Sequence, residues 1–209
     1  MAHRRRCPKV GSPFAFPSSG RAKSRFAPSV PPLMSNGRPQ MSRLLPFMLL
    51  VAVTSVSAAK FVSAAVDPAQ KNLIITGSDG RTIDPPRVTE QVGFENALIS
   101  QDGKYVGWLA LHPNCCTSYP VPLTLVVLDQ DGRHREFRGP QAIFSWCFLP
   151  ARKSVAYRQA VLHGPSETTF ELRQIDDGRL LSRFVQPWDY RTQEPAKVRL
   201  PTWAQCAAN

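Results

Sequence analysis

No part of this chain is apolar for the roughly 20 residues that a membrane-spanning helix requires. Its longest apolar run, Leu44 to Val53, is ten residues and is interrupted by Pro46. Acid is missing from residues 1–65, which hold ten Lys and Arg and no Asp or Glu. The formal charge of +11 therefore belongs to the N-terminal third, since residues 66–209 carry sixteen bases against fifteen acids. A foldable part so nearly neutral lacks the basic footprint that phosphate backbones select, and no nucleic-acid partner is expected. Its one basic group, Arg133, His134, Arg135 and Arg138, reads as a solvated strand edge.

Catalytic signatures are missing too. The chain has no phosphate-cradling glycine motif, and none of His112, His134 and His163 sits in a Gly-x-Ser-x-Gly, His-Glu-x-x-His or comparable setting. The expectation is a protein that is not an enzyme and carries no cofactor.

What the N-terminal region does contain is a processing pattern. Residues 1–40, rich in Arg, Pro and Ser, have nothing to bury and are expected to be a disordered basic extension. Met41 then reads as the biological start and the extension as an over-extended reading frame, the alternative being an organellar transit peptide. Residues 41–58 have the layout of a signal peptide: Arg43, the apolar run, then Val56-Ser57-Ala58, with cleavage after Ala58 preferred over Val62-Ser63-Ala64. A periplasmic or extracellular location without a stable membrane span follows from that reading.

Beyond the leader lie four cysteines, Cys115, Cys116, Cys147 and Cys206. An even count in an exported chain points to disulfides, with three connectivities open. The vicinal pair closes only through a strained ring, so one or both of Cys115 and Cys116 are expected to reach Cys147 or Cys206. A metal reading would join His112, Cys115 and Cys116 with Cys147 or His163, a set suited to zinc or copper. Its spacing matches no metal motif, so no metal is expected, and weak Cys/His metal binding stays as an alternative.

The body of the chain is organised by a tripeptide that occurs three times, Asp79-Gly80-Arg81, Asp131-Gly132-Arg133 and Asp177-Gly178-Arg179, with glycines 52 and 46 residues apart. Each follows a β-branched or apolar run, so each reads as a hairpin turn, with Gly adopting positive φ and Asp tolerating it. A calcium site at Asp129 and Asp131 lacks the remaining oxygen ligands. Four strands joined by turns account for residues 94–138, and the plan repeats over 143–184. At an offset of 49, Val106 meets Val155, Gly107 meets Ala156 and Trp108 meets Tyr157; at an offset of 46, Val126 meets Leu172 and the turns coincide. Residues 200–206 echo Ser145-Trp146-Cys147. Trp108, Phe144, Trp146, Phe148 and Tyr157 are expected in the core. Tyr119, Trp188 and Tyr190, on loops or the irregular tail, are the candidate contact residues.

Four-stranded units of this length, with Ser100-Gln-Asp102-Gly103-Lys104-Tyr105-Val-Gly-Trp108 inside and an Asp-Gly turn at the close, resemble WD40-like, TolB-type β-propeller blades. Residues 94–138 resemble one blade, 143–184 a second, and 72–83 the last hairpin of a preceding one. The resemblance implies an all-β fold of antiparallel four-stranded blade-like sheets over residues 66–209. Two to three blades are too few to close a propeller. Either irregular segments pinned by disulfides cover a compact stack, or the chain associates with itself as a homo-oligomer. Such folds serve as platforms, and the function expected is a non-catalytic interaction module with a protein partner. The alternative is an accessory or inhibitory subunit of an envelope enzyme.

Overall fold

A computed structural model describes residues 59–114 and 119–208. The chain forms β1 (Phe61–Val66), β2 (Leu73–Gly77) and β3 (Thr82–Ile83), then β4 (Gly93–Ile99), β5 (Tyr105–His112), β6 (Val121–Asp129) and β7 (His134–Arg138). There follow β8 (Ala142–Leu149), β9 (Ser154–Ala160), β10 (Thr168–Gln174) and β11 (Leu180–Gln186), a ribbon of β12 (Trp188–Asp189) and β13 (Glu194–Pro195), and a 3-10 helix, Thr202–Ala207. Neighbouring strands pair antiparallel in chain order, giving an N-terminal sheet β1-β2-β3, a central sheet β4-β5-β6-β7 and a C-terminal sheet β8-β9-β10-β11. The fold is all-β, with two four-stranded antiparallel sheets. Among the described residues no helix is long and apolar enough to cross a membrane.

The sheets stack face to face in sequence, and period-two alternation decides which side chains enter which interface. Val106, Trp108, Ala110, Val126 and Leu128 of the central sheet meet Phe61, Leu73 and Ile75 of the N-terminal sheet. The opposite face of the central sheet, Leu109, Leu125, Val127 and Phe137, meets Ile143, Trp146, Val155 and Tyr157. Covered on both sides, β5 and β6 read as continuous apolar runs rather than alternating ones. Gly107 lies on the second interface because a Cβ there would stand 2.6 Å from the Trp146 ring. The far face of the C-terminal sheet, Ala156, Phe170 and Leu172, is covered by the 3-10 helix through Ala204 and Ala207. Cys147 on β8 is bonded to Cys206 in that helix. The irregular tail, pinned by a disulfide, thus covers one end of the stack.

Several expectations change. The folded part starts before residue 66: Phe61 is buried in the first core and β1 spans Val62-Ser63-Ala64, the secondary cleavage pattern. The proposed extension 1–40 and leader 41–58 lie outside the described residues, as do Cys115 and Cys116. Cys147 and Cys206 bond to each other, so neither serves Cys115 or Cys116. Cys147 faces the tail, whereas the segment holding the vicinal pair joins β5 to β6 of the central sheet. Trp203 to Cys206 packs against β8 as a helix instead of repeating its strand. Phe144 is exposed because a bulge between Ile143 and Ser145 gives it no partner on β9, while Trp108, Trp146 and Tyr157 are buried and Phe148, a partly buried ring, packs edge-on against Trp146.

The repeat holds in β5 and β9, where Val106 pairs with Ile99 and Val155 with Phe148, an offset of 49 in both members. It slips in β10. Val106 faces Leu128 across the pair, but Val155 faces Arg173, so the strand offset is 45 and not 46. The third Asp-Gly-Arg turn is one residue longer: Gly178 N–H reaches back to Gln174 O, whereas Gly132 N–H reaches Asp129 O. A one-residue slip moves every side chain to the other face. Leu172 corresponds to Val127, and the partner of Val126 is Glu171.

Candidate interaction surface

The three Asp-Gly-Arg turns lie at one end of the stack, where Lys60 N–H bonds Ser78 Oγ (3.1 Å) beside the first turn, Phe61 N–H bonds Gly103 O (2.8 Å) of the β4–β5 turn and Arg135 of β7 bonds Asp176 O beside the third. Gly80, Gly132 and Gly178 have φ of 77°, 80° and 75°, but none of the aspartates is left-handed. Aspartate contributes its side chain instead. Asp79 and Asp177 each accept the N–H of the arginine two residues on, at 3.1 and 2.9 Å. At the middle turn Asp129 accepts N–H from both Asp131 and Arg133 at 2.9 Å. Each arginine then folds back on its own acids, most closely Arg133 onto Asp131 at 2.6 Å. The Arg179 N–H holds the Asp177 carboxyl below the usual range, against slight burial. These residues are turn formers.

Between the central and C-terminal sheets this end opens into a polar cleft of about 370 Å³ lined by Tyr105, Asp129, Arg133, His134, Arg135 and Asp176. Burial, then the carboxylates of Asp176, Asp102 and Asp129, raise the Tyr105 phenol. The basic group of β7 is absorbed locally: Arg138 pairs with Glu136 at 2.8 Å and Arg135 caps the Asp176 carbonyl.

The opposite end carries the candidate contact residues. Tyr119 leads into β6, and Trp188 and Tyr190 follow β11, whose last residue, Gln186, pairs with the first of β10. Tyr119 is about half exposed and its hydroxyl lies 3.0 Å from His163 Nε2, joining the β5–β6 connection to the β9–β10 loop. Beside it a cleft of about 380 Å³ runs past Gln70, Lys71, Val92, Leu111 and Pro113. Tyr190 is 70% exposed, and Trp188 is half-buried with its indole N–H unpaired. The fold therefore places all three aromatics at one end.

Of the residues in the metal alternative, Cys115 and Cys116 lie outside the described ones. His112 ends β5, buried, with Nε2 3.1 Å from Thr124 Oγ1; burial and then the Arg138 charge lower its pKa and favour the neutral ring. His163 faces Tyr119, and Cys147 is in a disulfide. No cluster of three or more His, Cys, Asp or Glu able to hold a metal occurs among the described residues.

Sequence reasoning missed the strongest electrostatic feature. Glu171 is 1% exposed, yet Tyr157 donates to it at 2.6 Å, Arg173 Nε at 2.8 Å and Arg183 Nε at 3.0 Å. Tyr157, Glu171 and Arg183 form one cross-strand row over β9, β10 and β11. Burial opposes the carboxylate charge, but these donors and the Arg173 charge outweigh it and hold the group below its ordinary value. Burial and the Glu171 contact push the Tyr157 phenol up. The signal was parity: Glu171 shares a strand face with Arg173 once the register is set at 45. With its lone pairs filled from both sides, the group is a buried ionic network of the scaffold.

Compared with known proteins, the chain matches no protein-family model and no curated protein with significance.

Proposed function

We propose that the protein is an exported, non-catalytic interaction module built on propeller-like β repeats, with a protein as partner. The observation that carries this reading is the Cys147–Cys206 disulfide. A cross-link that holds the tail on the sheet persists in oxidising compartments and is rare where thiols are kept reduced. Two further features agree with it. The signal-like segment ends at Ala58, directly ahead of β1, so removal of residues 1–58 leaves every strand of the described residues intact. The ionisable groups that are well buried are engaged in the scaffold, while the exposed Tyr119 and Tyr190 lie at the end opposite the Asp-Gly-Arg turns, the chemistry that protein interfaces enrich.

N-terminal sequencing of the protein recovered from outside the cytoplasm tests export, with a terminus at Ala59 expected. A terminus within residues 20–40 contradicts it. For the module reading, the immobilised protein is challenged with envelope extract beside a Tyr119→Ala/Tyr190→Ala variant. One reproducible protein captured by the native chain and lost from the variant is expected. Metal that survives dialysis, with no protein retained, contradicts the reading in favour of metal binding.

A further inference from the structure

The far face of the C-terminal sheet is closed by a segment with few attachments of its own. The 3-10 helix has six residues and no side-chain cap, and residues 196–201 before it have no regular structure. So short a helix has no intrinsic stability. Its buried side chains are two methyl groups, Ala204 and Ala207, with Leu200 and Trp203 partly covered. Polar ties to the sheet run from Ser145 Oγ to Ala207 O and from Arg158 Nη1 to Ala208 O at 3.3 Å. The covalent link is the Cys147–Cys206 bond, whose Cys206 end is exposed.

What lies beneath repeats an interface already in use. Ala156 stands where Gly107 stands in the central sheet, Leu172 where Val127 stands and Phe170 where Leu125 stands. In the central sheet that face receives the next sheet, with Trp146 seated over Gly107. At the other end of the stack the outer face of the N-terminal sheet has no cover among the described residues. Ala65 and Ile74 pair there across β1 and β2, both exposed, with Ile74 at 54%, and Val62 is exposed at the adjoining bulge. Each internal junction joins the far face of one sheet to the near face of the next. The two terminal faces are one of each kind.

We propose that the Cys147–Cys206 bond is a thiol-sensitive latch, and that opening it lets the far face of the C-terminal sheet dock on the N-terminal sheet of a second copy. A dithiol supplies the electrons. One of its thiolates attacks the exposed Cys206 sulfur and expels Cys147 as a thiolate, which takes up a proton. The second thiolate resolves the mixed disulfide, releasing Cys206 as a thiolate that is protonated in turn. The dithiol leaves as a disulfide, two electrons and two protons having passed to the protein. The tail then lifts, and continuity of the stack selects the occupant.

Sedimentation velocity over a concentration series, with and without dithiothreitol and with far-UV circular dichroism alongside, tests this. The oxidised protein is expected to sediment as one chain, and the reduced protein to show about a two-fold or larger rise in mass. Cys206→Ser, which leaves Cys115 and Cys116 untouched, reproduces the rise without reductant. Ile74→Glu, on the exposed face, keeps the strand signal and abolishes the rise. A reduced protein that stays a single chain overturns the proposal. So do equal association of the oxidised form, association that Ile74→Glu leaves unchanged, or loss of the strand signal on reduction.

Discussion

The central and C-terminal sheets share their strand order and the offset of their first two strands, yet they stay folded by different means. The central sheet lies between two neighbours, and the positions that matter, Val126 and Trp108 among them, are apolar and fully buried. Among the described residues the C-terminal sheet has one sheet neighbour. At the position of Val126 it holds Glu171, tied to Tyr157, Arg173 and Arg183, and its far side is closed by a cross-linked tail. A repeat flanked on both sides can rely on burial alone, while a terminal repeat adds ionic and covalent ties. Buried ion pairs contribute little net stability, but removing one partner is costly. The two sheets therefore differ less in how stable they are than in what breaks them.

The largest effect is expected from making the central sheet resemble the C-terminal one. Val126→Glu places a carboxylate in the apolar cluster of Phe61, Ile75 and Trp108, across from Glu136 where Glu171 has Arg183, and the expected outcome is a chain that does not fold, seen as loss of the strand signal and insolubility. The reverse change is smaller. Glu171→Ala takes the acceptor from the Tyr157 hydroxyl and the counter-charge from Arg173, which keeps its bonds to that hydroxyl and to Gly178 O, and urea unfolding at pH 7 should show a loss of about 3–5 kcal/mol.

The same carboxylate sets an acid dependence. Its folded pKa lies below its unfolded value, so its contribution is present above the unfolded value and is lost as pH falls through the folded one. Unfolding midpoints should drop in native protein as pH is lowered below the ordinary carboxylate range. Glu171→Gln should flatten that part of the curve, and an unchanged slope would show that other carboxylates govern it.

The same contrast explains what the sequence made legible. Turn glycines, β-branched runs and the 49-residue offset of β5 and β9 are local features, and they specify strand order and the antiparallel wiring. The buried carboxylate was hidden because the Asp-Gly-Arg tripeptides invite alignment on the turns, and the extra residue before Gly178 shifts β10 by one relative to its own turn. Phe144 was misread for a similar reason, since a bulge breaks the period on which its burial depended. The pairing of Cys147 with Cys206 rests on a helix docking across a sheet face, a contact 59 residues apart with no local signature. The gathering of Tyr119, Trp188 and Tyr190 at one end likewise follows from topology, although their loop positions were readable.

Smaller effects sharpen the comparison. Cys206→Ser should cost roughly 2–4 kcal/mol in urea unfolding, in line with the loss of a native cross-link. A comparable cost from an alanine change at Ser145 would shift the credit to the hydrogen bond that Ser145 makes with the tail. Asp129→Ala removes the one oxygen that accepts both N–H groups of the middle turn, and about 1 kcal/mol is expected, with strand content unchanged. Smallest of all, Tyr190→Ala should leave stability within about 0.5 kcal/mol, as for other exposed positions, so that any loss of partner capture reports the surface and not the fold.

A covalent clamp completes the C-terminal repeat, and peptide mapping of the unreduced, thiol-blocked protein by mass spectrometry should recover it. A cross-linked pair of peptides joining Cys147 to Cys206 is expected. Blocked free thiols at both positions, or either cysteine joined to Cys115 or Cys116, would contradict it.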